Sequence, residues 1–251
     1  MKPRALWAIL LAGGVGRRLG GDKPKQFLTV GGFPLIVWSF HALDEAFSLD
    51  GMVVVTTKEH QKELKELLAD RPRKVAHLLF TEGGAQRQDS VRNGLALLPQ
   101  ECESVLVHDG ARPFVGEAVA QRLLQGLDSA KAVIPGVAEK NTLKKVGEDE
   151  FVTKTLNRQN VYEIQTPQLF EKELLQRAHS EAQQKKYLGT DCASLVERLG
   201  EGVKVVLGDE FNLKVTTKRD IFLMKCMIDE ASAKPGSGPP LADDIFARDR
   251  G

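Results

Sequence analysis

Four times in succession, a short apolar run in this 251-residue chain is followed by a stretch of helical periodicity, and a fifth run closes the series. The apolar runs are Ala5–Leu11, Met52–Val55, Val75–Phe80, Ser104–His108 and Ala132–Ile134, and their length and composition are those of buried strands. Between them, residues 34–46, 59–69, 89–98 and 117–127 place apolar residues on one helical face, with Pro34 suited to a first helical turn. A strand that is apolar on both faces has to be covered on both faces. The alternation therefore predicts an α/β fold: a Rossmann-like, mainly parallel sheet with helices on both sides.

After Ile134 the rhythm breaks. Residues 137–162 are polar and rich in Lys, Asn, Glu and Thr, with β-like pieces at Thr142–Val146 and Phe151–Leu156 around the turn Gly147-Glu148-Asp149. This reads as a hairpin arm projecting from the sheet, and an excursion of that length usually has a function or a partner. Regular structure resumes with helices from Glu171 and after Asp191, strands at Val203–Leu207 and Asn212–Val215, and a last helix from Arg219 to about Glu230. Residues 1–230 form one domain on this reading. Residues 231–251, with Lys234-Pro-Gly-Ser-Gly-Pro-Pro240, read as a disordered tail.

Charge removes several classes of function. Thirty-five Lys and Arg against 34 Asp and Glu leave a formal net charge of +1, which gives no broad grip on nucleic acid or on an anionic membrane. No stretch approaches the ~20 apolar residues of a membrane span, and the run Leu6–Ala12 is short for a secretory signal. Cys102, Cys192 and Cys226 are isolated and odd in number, so they build no disulfide framework or zinc site. A cytoplasmic location is expected.

Three segments carry chemistry. The first strand runs into Leu11-Ala-Gly-Gly-Val-Gly-Arg-Arg-Leu-Gly-Gly-Asp-Lys-Pro-Lys-Gln26. Glycines at a strand end let backbone amides approach a phosphate, and Arg18, Lys23 and Lys25 suit a polyphosphate whose charge rises in the transition state. A P-loop would need Gly-Lys-Ser/Thr. A dinucleotide fingerprint would need a small residue at Leu19 and an immediate helix, which Pro24 opposes. The second segment, Glu82-Gly-Gly-Ala-Gln-Arg-Gln-Asp-Ser-Val91, joins a strand to a helix, and capping by Asp89 or Ser90 explains it as well as anion binding does. In Val107-His-Asp-Gly-Ala-Arg-Pro113, Asp109 ends an apolar strand, where a carboxylate suits Mg²⁺ beside phosphates. Arg112 suits a second anionic substrate, or an Asp–Arg brace across the turn. His108 reads as structural.

These segments, with Gln165-Thr-Pro-Gln168, Gly189-Thr-Asp191 and Asn212-Leu-Lys-Val215, stand in an order and spacing that resembles the 2-C-methyl-D-erythritol 4-phosphate cytidylyltransferases of the non-mevalonate isoprenoid pathway. The resemblance covers roughly residues 5 to 230. It implies a nucleotidyltransferase-type fold, transfer of CMP from CTP to 2-C-methyl-D-erythritol 4-phosphate, a Mg²⁺ cofactor and a homodimer built through the arm at 137–162. It implies Arg18, Lys25, Arg158 and Lys214 as catalytic residues, and Ala12, Gly13, Gly14, Gly16, Gly84, Ser90 and Asp109 around CTP. It places Asp109, Arg112, Thr142, Arg158, Thr166, Thr190 and Lys214 at the sugar phosphate, Asp109 at the metal, and Thr142 and Arg158 in the partner's site. Two positions depart from the family's pattern: Ala85 stands where an acidic residue is frequent, and Asn141 where aspartate is usual. Ribitol 5-phosphate cytidylyltransferase shares the glycine loop, a similar His-Asp motif and Thr-Pro-Gln, although the arm segment Asn157–Ile164 is closer to the methylerythritol enzymes. A nucleotide-binding protein without catalysis is the alternative from another class.

Overall fold

The structure is a computed structural model that describes residues 5–13, 25–69 and 73–232. In chain order its elements are β1 (Leu6–Leu11), β2 (Thr29–Val30), β3 (Phe33–Pro34), α1 (Leu35–Ala46), β4 (Gly51–Thr56), α2 (Lys58–Ala69), β5 (His77–Glu82), α3 (Arg87–Leu95), β6 (Ser104–Asp109) and α4 (Glu117–Gly126). There follow β7 (Ala132–Ala138), β8 (Lys144–Val146), β9 (Val152–Thr155), β10 (Tyr162–Ile164), β11 (Gln168–Glu171), α5 (Lys172–Gln184), α6 (Cys192–Arg198), β12 (Lys204–Leu207) and α7 (Lys218–Ser232).

The central sheet runs β10-β7-β11-β6-β1-β4-β5, with β12 pairing β7 in parallel. Strands β1, β4, β5 and β6 pair in parallel, while β10 and β11 run antiparallel to their neighbours. Side-chain alternation divides the strands between two cores. Leu6, Ala8 and Leu10 of β1 pack with Phe40 of α1, Leu64 of α2 and Leu123 of α4. Trp7 and Ile9 point the other way, to Val91 of α3, Leu175 of α5 and Val196 of α6. A third cluster seats Met224 and Ile228 of α7 against Trp38, Phe114 and Val215. The apolar character of both faces, read from the sequence, is thus met by helices on both sides.

Four of the differences between the structure and the sequence reading have a plain physical cause. The third strand begins at His77, because the amides of Lys74 and Val75 donate to the Asp44 carboxylate and are held outside the ladder. Helix α3 starts at Arg87, two residues early, with the Asp89 carboxylate accepting from the Gln86 amide. Asn212–Val215 is no strand: its two buried residues have separate anchors, since Val215 donates to the Ala111 carbonyl and Asn212 to the Thr166 carbonyl. Finally, Gln168–Glu171 forms β11, a four-residue strand inserted antiparallel between β6 and β7. It was too short to separate from the helix that follows.

The arm is present. Strands β8 and β9 form their own two-stranded ladder, exposed at every residue, and the root is closed by β10 pairing β7 through Tyr162↔Ala138 to Ile164↔Gly136. The tail expected from 231 lies outside the described residues beyond Ser232, where α7 ends.

Candidate active site

Parallel strands deliver their C-terminal ends to one rim of the sheet, where ligands of such folds bind. Leu11 and Asp109 end β1 and β6 side by side in register. Above them opens a cleft of about 320 Å³, bordered by Gly13, Gly84, Arg87, Ser90, Asp109 and Lys214. A second, more polar cavity of about 580 Å³ adjoins it, with Arg112, Glu163, Gln165 and Asn212 in its wall. Lys214 lines both.

Asp109 is the centre of this arrangement. Its Oδ1 accepts from Arg87 Nε at 3.0 Å and its Oδ2 from Lys214 Nζ at 2.6 Å. Burial alone would push its carboxyl up, but Arg87 and Lys214 hold it well below the usual carboxylate range. Burial likewise works against the Arg87 guanidinium, and Asp109 more than compensates, raising its affinity for the proton. Behind Asp109 runs a chain of hydrogen bonds. The Asp109 amide donates to Thr166 Oγ1 at 3.1 Å, and Thr166 Oγ1 lies 3.0 Å from His108 Nδ1. His108 Nε2 lies 2.9 Å from the Arg112 carbonyl. A carbonyl only accepts, so Nε2 carries the proton and Nδ1 accepts from Thr166. Burial pushes the His108 pKa down to about 4, which keeps the ring neutral in that role. The structural reading of His108 holds.

On the far side of the cleft, the Gly84 amide donates to Ser90 Oγ at 3.1 Å, and that hydroxyl donates to the Gln86 carbonyl at 3.1 Å. A Cβ at Gly84 would lie 2.2 Å from the Asp89 Cβ, so the backbone can fold against α3 only with glycine there. On the near side, Gln26 Nε2 donates to the Ala12 carbonyl, fixing the end of β1.

Asp109 is the only carboxylate lining the cleft among the described residues, which hold no group of three or more His, Cys, Asp or Glu suited to a metal. Mg²⁺ usually takes one or two carboxylates and completes its shell with water and phosphate oxygens. A carboxylate offers about four lone-pair positions, and Arg87 and Lys214 take up two of those on Asp109. The residues fit the ion in company with a polyphosphate.

Residues 6–230 match the sequence model of the family 2-C-methyl-D-erythritol 4-phosphate cytidylyltransferase. The chain belongs to this family. A cytidylyltransferase of that name from Geobacillus thermodenitrificans (strain NG80-2) is 42% identical over 222 residues, 88% of this chain and 96% of the relative. One from Syntrophus aciditrophicus (strain SB) is 37% identical over 229 residues, 91% and 97% of the two chains. Among solved structures, the 4-diphosphocytidyl-2C-methyl-D-erythritol synthase of Anaerococcus prevotii DSM 20548 superposes with a TM-score of 0.79 at 30% identity, over 90% of this chain and 99% of that one. The fold is accordingly that of a nucleotidyltransferase.

Against the cytidylyltransferase pattern, the structure gathers Gly13, Gly84, Ser90, Asp109 and Lys214 at the cleft, with Ala12 buried just beneath. Arg112 points into the second cavity, where its Nη1 donates to the Asn212 carbonyl at 2.7 Å. Its side chain makes no ion pair with Asp109; the brace expected across that turn is replaced by Arg87 and Lys214. Burial lowers the Arg112 pKa, with Asp109 and Glu163 opposing. Thr166 sits behind Asp109 with its hydroxyl engaged internally. Thr142, Arg158 and Thr190 are exposed and line neither cavity. Gly14, Gly16, Arg18 and Lys23 lie outside the described residues. So does the side chain of Lys25, whose backbone opens a short 3-10 turn, Lys25–Phe27.

Arg87 is the residue that sequence reasoning passed over. The signal was there: a cation in the first turn of a helix opposes the helix dipole, so it needs a partner elsewhere. It has two, Asp109 and the buried Cys192 thiol, whose Sγ lies 3.7 Å from Nη1.

Proposed function

We propose that the chain transfers CMP from CTP to 2-C-methyl-D-erythritol 4-phosphate, giving 4-diphosphocytidyl-2-C-methyl-D-erythritol and pyrophosphate. The observation that carries this reading is the pair of cavities meeting at Lys214, with Arg87 and Lys214 set against Asp109 in the first and Arg112 in the wall of the second. Cations fixed on both sides of the junction between two pockets suit two phosphorylated ligands brought end to end.

On this reading CTP occupies the cleft of Gly13, Gly84 and Ser90, and the sugar phosphate enters from the side of Arg112. A phosphate oxygen of the sugar attacks the α-phosphorus in line, the new P–O bond forms, and the bond to the β-phosphate oxygen breaks to release pyrophosphate. The nucleophile is already an anion, so no general base is required. The task of the protein is to hold polyanions together and to stabilise charge added at phosphorus. Lys214 stands where both ligands meet, Arg87 keeps Asp109 ionised and oriented, and Arg18 and Lys25 are assigned to the α-phosphate. Mg²⁺, held by Asp109 and phosphate oxygens, would supply charge neutralisation when bound.

We assign the arm to homodimerisation, with Thr142 and Arg158 presented to the partner's site. The exposure of β8 and β9, which line neither cavity, supports that assignment. We place the enzyme in the cytoplasm; among the described residues no helix is long and apolar enough to cross a membrane.

The test is release of pyrophosphate from CTP with each candidate pentitol phosphate. Release with 2-C-methyl-D-erythritol 4-phosphate is expected. Release with ribitol 5-phosphate in its place, or tight CTP binding with no release from either, would overturn the assignment.

A further inference from the structure

Lys214 hangs on a loop, residues 208–215, that belongs to no strand or helix, yet its ammonium is held 2.6 Å from Asp109. The loop is fastened by a side chain from outside it. Gln165, 7% exposed, accepts from the Asp209 amide through Oε1 at 3.1 Å and donates through Nε2 to the Asp209 carbonyl at 2.7 Å. One carboxamide thus satisfies both backbone groups of one residue, as a neighbouring strand would. Gly208 makes room for it: a Cβ there would lie 2.5 Å from Gln165 Oε1, and the Gly208 backbone has no left-handed conformation that would call for glycine on its own account. On either side of Lys214 the chain is tied again. Asn212, fully buried, donates from Nδ2 to the Thr166 carbonyl at 2.9 Å, and the Val215 amide donates to the Ala111 carbonyl at 2.8 Å.

We infer that Gln165 is a positioning residue for Lys214, acting through the backbone of Asp209, and that Gly208 is glycine to admit its carboxamide. The inference rests on the reading of Lys214 as a phosphate-facing group. Gln165→Ala leaves Asp209, which is partly exposed, able to bond water, so the chain is expected to fold.

A double-mutant cycle in the full-length enzyme tests it, with pyrophosphate release as the readout. Gln165→Ala is expected to lower kcat/KM ~10-fold or more in the native background, since a misplacement near 1 Å is that damaging. In a Lys214→Ala background it should lower it less than twofold, because the group it positions is gone. Gly208→Ala, which displaces the carboxamide from the opposite side, should reproduce the pattern and stands in if Gln165→Ala does not fold. Equal losses in both backgrounds would mean a merely structural role and overturn the inference. Undiminished activity of Lys214→Ala would instead sink the reading of Lys214. In that event a crystal structure of Gln165→Ala decides: an unmoved Lys214 ammonium overturns the inference, and a displaced one sustains it.

Discussion

The cleft and the arm are built from the same chain on opposite principles. At the cleft, Asp109 is held by groups from α3, from the 208–215 loop and from Thr166, each contact reaching across 22 residues of sequence or more. In the β8–β9 hairpin, contacts are local: Lys144 Nζ with Thr155 and Thr153 with the Lys145 carbonyl. Phe151 is 75% exposed and Val152 58%. Fixing charges against one another requires burial and many partners, because an unpartnered buried charge is expensive. The hairpin shows the reverse, a ladder with no core of its own and apolar groups left uncovered.

The contrast can be broken hardest at Asp109. Asp109→Ala leaves Arg87 buried beside no carboxylate, and we expect kcat/KM to fall ~10³-fold and unfolding stability by about 3 kcal/mol. Denaturant titration beside the pyrophosphate assay measures both, and unchanged stability would mean that Arg87 does not lean on Asp109. Lys25→Ala should lower kcat ~100-fold with the melting temperature unmoved; an active variant would remove Lys25 from the catalytic set.

Acid should find the core before the arm. Burial depresses the pKa of both His108 and His179 to about 4, from an ordinary value of 6.5. As pH falls through 6.5 the unfolded chain takes up these protons and the folded chain does not. Stability is therefore complete above that value, declines between 6.5 and about 4, and levels off below, by up to about tenfold in the folded-to-unfolded ratio per pH unit for each ring. Asp109 adds its own loss only below the usual carboxylate range, since its folded pKa is depressed. His179→Leu should flatten the slope of melting temperature against pH, and an unchanged slope would count against it. The mildest expected effect is in the arm. Arg158→Ala should lower kcat/KM by about tenfold, the size of one charge-assisted hydrogen bond, without altering stability. Mixing Arg158→Ala with Lys25→Ala subunits should restore activity if the arm acts on its partner, and failure to complement would confine the arm to its own subunit.

Much of this was legible because it follows from local periodicity. Continuous apolar strands named the doubly covered sheet, and glycines at strand ends named the rim. What escaped depended on contacts remote in sequence. Arg87 and Gln165 look like ordinary polar residues until α3 and the 208–215 loop are in place. Strand β11 has four residues and no periodicity to read. The segment Asn212–Val215 reads as a strand, yet Asn212 and Val215 are each buried by a separate anchor.

The pairing of β10 with β7 at the root of the arm has one more consequence. The β8–β9 ladder is set apart from Thr166 and Asp109, because the two ends of the excursion are zipped together before the chain turns back to the rim. The tip of the hairpin can therefore lengthen, shorten or change its surface over generations while Thr166 and Asp109 stay in register. A lineage is free to redesign that tip without relearning how to handle phosphate.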